Sequence, residues 1–220
     1  MTECLSIAGN NLAYEVSGQG PLVVLAHGIG DSRHSYRFLA PALVGAGYRV
    51  ANVDIRGCGD SSLGWDAYSR TDIAGDLVAV VRHFGGPAVI IGQSISGGAA
   101  TIAAATAPDL INGIIELAPF TRLQPFDLGG LMRVKRFRTG YSQMAQVMVN
   151  VTCPVLIIEG SLDPDWADPR AEGEKIIADL PRGLGELAII EGAGHYPHAQ
   201  TPDQVLALAQ PFLDKTLANA

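Results

Sequence analysis

Cysteine is scarce and dispersed. Cys4, Cys58 and Cys153 are the three in 220 residues, an odd number with no C-x-x-C pair. That argues against a disulfide scaffold and for a reducing compartment. Long apolar runs are also lacking. No stretch approaches the ~18 residues needed to span a bilayer, and no amino-terminal charged-then-apolar segment resembles a signal peptide. Positive charge is in deficit, with 15 Lys and Arg against 22 Asp and Glu and a formal charge of −7. An acidic chain repels phosphate backbones and anionic membranes, which argues against nucleic acid as a partner. The one basic cluster, Arg133, Lys135, Arg136 and Arg138, reads as a solvated helix face. The expectation is a cytoplasmic protein with no membrane span.

What is present is a globular composition, 48% hydrophobic and 17% charged, in a length that suits one domain. Short β-branched runs recur: Leu22–Ala26, Tyr48–Val53, Ala88–Ile91, Ile111–Leu117, Val155–Ile158 and Leu187–Ile190. They are apolar on both faces, as in a parallel sheet covered by helices. Between them lie helical segments near 33–46, 68–84, 95–107, 170–180 and 202–217. Thr201-Pro202 opens the last one, and Pro211 is expected to kink it. Residues 3–17 read as an antiparallel hairpin turning at Gly9-Asn10-Asn11. The alternation predicts a three-layer α/β domain. Only 120–153 breaks the rhythm, with helices suggested at 128–138 and Tyr141–Val151.

The residues suited to chemistry sit at strand ends. Gly92-Gln93-Ser94-Ile95-Ser96-Gly97 follows the strand at Ala88–Ile91 and opens an Ala-rich helix. A serine on such a sharp turn is held in strained backbone with its hydroxyl above the sheet edge, and small neighbours are needed where the segments approach. His27-Gly28-Ile29-Gly30 follows Leu22–Ala26, so the amides of Ile29 and Ile95 are placed to bind an oxyanion jointly. His27 itself reads as structural. A serine nucleophile needs a base, and the base an orienting acid. His195, in Glu191-Gly192-Ala193-Gly194-His195, stands just past the last strand, with His198 its competitor; His83, late in a helix, reads as a surface residue. For the acid, Asp163 follows the strand at Val155–Ile158, with Asp165 the alternative.

Taken in order, His27-Gly28-x-Gly30, Asp54-x-Arg56-Gly57-x-Gly59-x-Ser61, Gly92-x-Ser94-x-Ser96-Gly97, Gly160-x-x-Asp163 and Gly194-His195 resemble the α/β-hydrolase superfamily from end to end. The resemblance implies an eight-stranded, mostly parallel sheet with helices on both faces. It also implies a Ser94–His195–Asp163 triad, an oxyanion hole at Ile29 and Ile95, and no metal or cofactor. It gives the Asp54–Ser61 loop a structural role. Serine at position 94 speaks against the epoxide hydrolases and haloalkane dehalogenases of that superfamily, which use aspartate there.

Two departures stand out. Ser96 occupies a position that is usually glycine, and slight crowding is expected there. The core is expected at 1–120 and 153–220, which leaves 121–152 as a short residual cap where members usually insert a longer helical lid. A reduced cap opens the site and bares apolar surface for a second copy of the chain to cover. The resulting expectation is a carboxylic-ester hydrolase working through an acyl-enzyme on a small-molecule ester. The alternatives are a C–C bond hydrolase, a cofactor-free perhydrolase, a slow-turnover ligand receptor, or a lid-deleted scaffold with weak activity. Substrate-binding residues are not assigned, although Phe120, Met144, Met148 and Trp166 are candidates either for the site wall or for plain core.

Overall fold

The computed structural model describes residues 1–121 and 144–218. Strands β1 (Glu3–Ile7), β2 (Asn10–Ser17), β3 (Leu22–Ala26), β4 (Arg49–Val53), β5 (Ala88–Gln93), β6 (Ile111–Leu117), β7 (Val155–Gly160) and β8 (Gly185–Ile190) form one sheet in the order β1-β2-β4-β3-β5-β6-β7-β8. β1, β2 and β4 pair antiparallel, and every other neighbouring pair is parallel. The chain leaves β3 toward β4 on one side and returns to β5 on the other. The strand order therefore reverses at β3 and β5, and α/β sheets bind ligands beyond the carboxyl ends at such a point.

The alternating pleat divides the apolar residues between two cores. Val24, Ala26, Ile90, Ile114 and Ile157 pack under α2 (Arg70–His83) and α3 (Ile95–Thr106). Val23, Leu25, Ile91, Ile115 and Ile158 pack under α1 (Leu39–Gly45) and a carboxyl-terminal helix at Pro202–Leu217. Between them in sequence come α4 (Met144–Met148), α5 (Pro169–Asp179) and a one-turn α6 (Pro197–Gln200), so the carboxyl-terminal helix is α7. This is the three-layer arrangement that the strand pattern predicts. α2 starts on a capping box between Ser69 and Asp72, and α5 on Asp168, which accepts from Ala171 N at 3.0 Å. The carboxyl-terminal helix runs through Pro211 to Leu217.

Local departures from the sequence reading have physical causes. The hairpin turns at Ala8-Gly9, both at positive φ, so Asn10 already pairs with Ile7; a two-residue turn of that hand matches strand twist. The segment expected as one helix over 33–46 divides into a 3-10 turn, Arg33–Tyr36, and α1. Pro41 is the reason. It has no amide hydrogen to give to a carbonyl four residues back, but at the third position of α1 none is needed. The suggested helix at 128–138 and the start of that at Tyr141–Val151 lie outside the described residues. Met144, Met148 and Val151 are buried in the α2/α3 core.

Two acids sit inside that core. Glu116 on β6 and Glu159 on β7 are 1% and 0% exposed. Glu116 Oε1 accepts from Thr101 Oγ1, while its Oε2 and both oxygens of Glu159 lack hydrogen-bond partners among the described residues. Burial pushes the Glu116 carboxyl up to about 7 and holds that of Glu159 well above the usual range. A carboxyl raised in the folded state binds its proton more tightly there than when unfolded. Its stabilising contribution is therefore complete below pH ~4.5 and is lost as pH climbs through ~7, up to about 3 kcal/mol for Glu116. The midpoint of urea unfolding should fall between pH 5 and pH 8 in the parent and fall less in Glu116→Gln. Equal slopes in the two proteins would refute it.

Candidate active site

β5 runs straight into α3 through Ser94, whose φ of 55° and ψ of −120° lie outside the regions open to ordinary residues. The surroundings enforce that geometry. Ser94 N donates to Leu117 O at 3.0 Å, and Ser94 O accepts from both Gly97 N and Phe120 N at 3.0 Å. Gly92 is required beneath the turn, because a Cβ there would stand 2.3 Å from Ser96 O. The Ser94 side chain is thereby carried to the amino end of α3, where Ile95 supplies the first helical amide.

The loop after β3 lies against this turn. A Cβ on Gly28 would meet Gln93 Oε1 at 2.1 Å and Ser94 Cβ at 3.0 Å, so only glycine lets the Ile29 segment come this close. His27 is fully buried, and its ring nitrogens are both engaged: Nδ1 donates to Gly28 O at 2.7 Å and Nε2 accepts from Ile55 N at 3.2 Å. Burial lowers its pKa, so the ring is neutral. This is the structural role expected of it.

His195 stands beyond β8. Its Nδ1 is 2.8 Å from Asp163 Oδ2 and 3.3 Å from Asp165 Oδ2. A carboxylate only accepts, so Nδ1 carries the hydrogen and Nε2 is left as an acceptor. Asp163 is 3% exposed, and its Oδ1 accepts from Asp165 N at 2.9 Å. The acid loop is sewn to the histidine loop by Ser161 N to Ile190 O at 3.0 Å and Leu162 N to Ala193 O at 2.8 Å. Asp165 has its carboxyl raised by burial first and by Asp163 next, with His195 opposing.

His198 has a different environment. It is fully buried, its ring lies 4.5 Å from that of Tyr36, and neither nitrogen has a hydrogen-bond partner among the described residues. Burial holds its pKa down at about 3. His83 is exposed, as expected, with Nε2 3.1 Å from Tyr14 Oη. Of the four wall candidates, Phe120 packs on His195 at 5.2 Å between ring centroids and on Trp166 at 5.8 Å, whereas Met144 and Met148 are core. Two neighbours were not legible in the sequence. Tyr196 packs edge-on against His195 at 5.3 Å, and Gln93 Nε2 donates to His195 O at 3.0 Å. Asp163, Asp165 and His195 also form the one group among the described residues with enough close donors to hold a cation. A cation there would displace the hydrogen on His195 Nδ1. A separate groove of about 440 Å³ beside α1, lined by Glu15, Arg37, Val44 and Asn52 among others, includes none of these residues.

A family model described as the alpha/beta hydrolase fold matches residues 21–143, and the chain belongs to that family. Epoxide hydrolase B of Mycobacterium tuberculosis is 41% identical over 106 residues, 46% of this chain and 30% of that protein. The match thus spans under a third of that relative's length. Among solved structures, a bromoperoxidase from Bacillus anthracis superposes with a TM-score of 0.85 at 20% identity, covering 97% of this chain and 99% of that one. An esterase from Thermogutta terrifontis gives 0.80 at 22% identity, covering 99% of both chains. These likenesses establish the fold of a hydrolase family.

Proposed function

We propose that the chain is a serine hydrolase that cleaves carboxylic esters of small molecules. The hydrogen bond from His195 Nδ1 to buried Asp163, 2.8 Å long, carries this reading, because it orients the imidazole with Nε2 as a free base. Ser94 Oγ attacks the acyl carbon, and its proton passes to His195 Nε2. The amides of Ile29 and Ile95 hold the oxyanion. His195 then gives the proton to the departing alcohol, and a water deprotonated by His195 releases the acid from Ser94. Of residues 121–152, expected as a short cap, Met144, Met148 and Val151 pack in the core under α2 and α3.

The nucleophile also bears on the epoxide hydrolase relatives. A carboxylate opening an epoxide leaves an ester, which water can cleave. A serine hydroxyl would leave an ether, which the same histidine and water cannot. With Ser94 at the elbow, acyl transfer is the chemistry that turns over.

Diisopropyl fluorophosphate tests the proposal: Ser94 Oγ bonds to phosphorus and fluoride leaves. Peptide mass spectrometry should find one phosphorylated site, Ser94, with activity on p-nitrophenyl acetate falling in parallel. Labelling elsewhere, or activity that survives full labelling of Ser94, would overturn it.

A further inference from the structure

The two polar side chains that flank Ser94 within one turn have no part in the steps above, yet both are almost wholly buried and each bonds a different loop. Ser96 is 0% exposed, and its Oγ donates to His27 O at 2.6 Å. His27 leads through Gly28 to Ile29, so this bond fixes the loop whose amide the proposed function assigns to the oxyanion. Gln93 is 1% exposed, and its Nε2 donates to His195 O at 3.0 Å. Its Oε1 lies where a Gly28 Cβ would be. One residue before the nucleophile is thus tied to the base loop, and one residue two places after it is tied to the oxyanion loop.

The expected crowding at Ser96 is therefore answered by a hydrogen bond that glycine cannot make. Glycine would leave the carbonyl of His27 without this donor, in a region where a lost bond is costly. The Gln93 amide has a comparable function. Phe120 and Tyr196 pack against the His195 ring, whereas the Gln93 bond links the His195 backbone directly to the elbow.

We infer that Ser96 and Gln93 are positioning residues that set, respectively, the oxyanion loop and the histidine loop against Ser94. Both act through other groups and touch no reacting atom. This rests on the function proposed above. An oxyanion donor typically contributes about 10²–10³ in rate, and displacing one by a few tenths of an ångström forfeits part of that.

The two roles separate by readout. Ser96→Ala should lower kcat on p-nitrophenyl acetate about 10-fold with KM little changed. It should weaken inhibition by an aryl trifluoromethyl ketone, whose hemiketal oxygen occupies the oxyanion position, by a similar factor. Its pH profile should stay that of the parent. Gln93→Leu should instead move the acidic limb of the kcat/KM profile, which reports the base. Ser96→Gly and Gln93→Met remove the same bonds without added bulk and serve if the first variants do not fold. Variants that melt at lower temperature yet keep the parent's kcat, inhibition constant and pH profile would reduce both residues to structural roles and overturn the inference. Ser94→Ala, assayed alongside, tests the underlying reading separately: if it keeps the parent's rate, the proposed function itself fails.

Discussion

Replacing Ser94 or His195 by alanine is expected to lower kcat on p-nitrophenyl acetate by about 10⁴–10⁶, with the double variant losing no more than the worse single one. The reason is that the two groups act as one device. Ser94 without its base is a hydroxyl of ordinary reactivity, and His195 without the serine has no nucleophile to deprotonate. Once either is gone, removing the other deletes nothing that still works. What survives should be the contribution of the Ile29 and Ile95 amides and of simple binding, about 10³-fold over water. The Ser94→Ala variant should retain its melting temperature, because the turn at Ser94 is held by backbone bonds to Leu117, Gly97 and Phe120 that alanine leaves intact. Losses that multiply in the double variant would mean that the residues act independently, and a Ser94→Ala protein as fast as the parent would sink the assignment.

Much of the fold was legible because its information is local and repeated. β3, β5 and β7 are apolar runs buried on both faces, whereas β8, at the sheet edge, is only partly buried. The resemblance supplied the strand count and the mostly parallel pairing, but strand order was not legible, since nothing in the runs themselves states that β3 lies between β4 and β5. The misread details share a cause. Pro41 was hidden inside an apolar helical pattern, and Ala8-Gly9 formed the tight turn that a more conspicuous Asn-rich string suggested a residue later. At the candidate site, Asp163 and His195 could be named from their places after β7 and β8, but the choice between neighbours depends on contacts. His198 differs from His195 by three positions, and although both rings meet Tyr196, His198 is packed on Tyr36 with no hydrogen-bonded carboxylate among the described residues. Gln93 carried no signal beyond being polar beside the nucleophile, and Ser96 stood out only as a serine where glycine is usual. Their partners are backbone carbonyls 102 and 69 residues away in sequence, a pairing visible only when the loops are folded together.

The pair of acids beside His195 leads to the second large effect. In a serine triad, changing the orienting aspartate to asparagine typically costs about 10⁴, because the amide selects the wrong imidazole tautomer. Here a second carboxylate is close. Asp165 Oδ2 lies 3.3 Å from the same Nδ1 that Asp163 approaches to 2.8 Å. Asp163→Asn should therefore fall short of the full loss, at about 10²–10³, with Asp165 keeping part of the imidazole population in the productive tautomer. Asp165→Asn alone should change kcat by less than about threefold, and the double variant should reach the full 10⁴. Geometry favours Asp163 as the principal partner for two reasons. It is the nearer, and its second oxygen is fixed by Asp165 N, so it does not have to be ordered when the imidazolium forms. The exposed side of Asp165 leaves that carboxylate to be shared with water, which weakens its hold on the ring. Steady-state kinetics on the three variants decide the matter. If Asp165→Asn is the more damaging single change, the two acids exchange roles; if the double variant is no worse than Asp163→Asn, Asp165 gives no support at all.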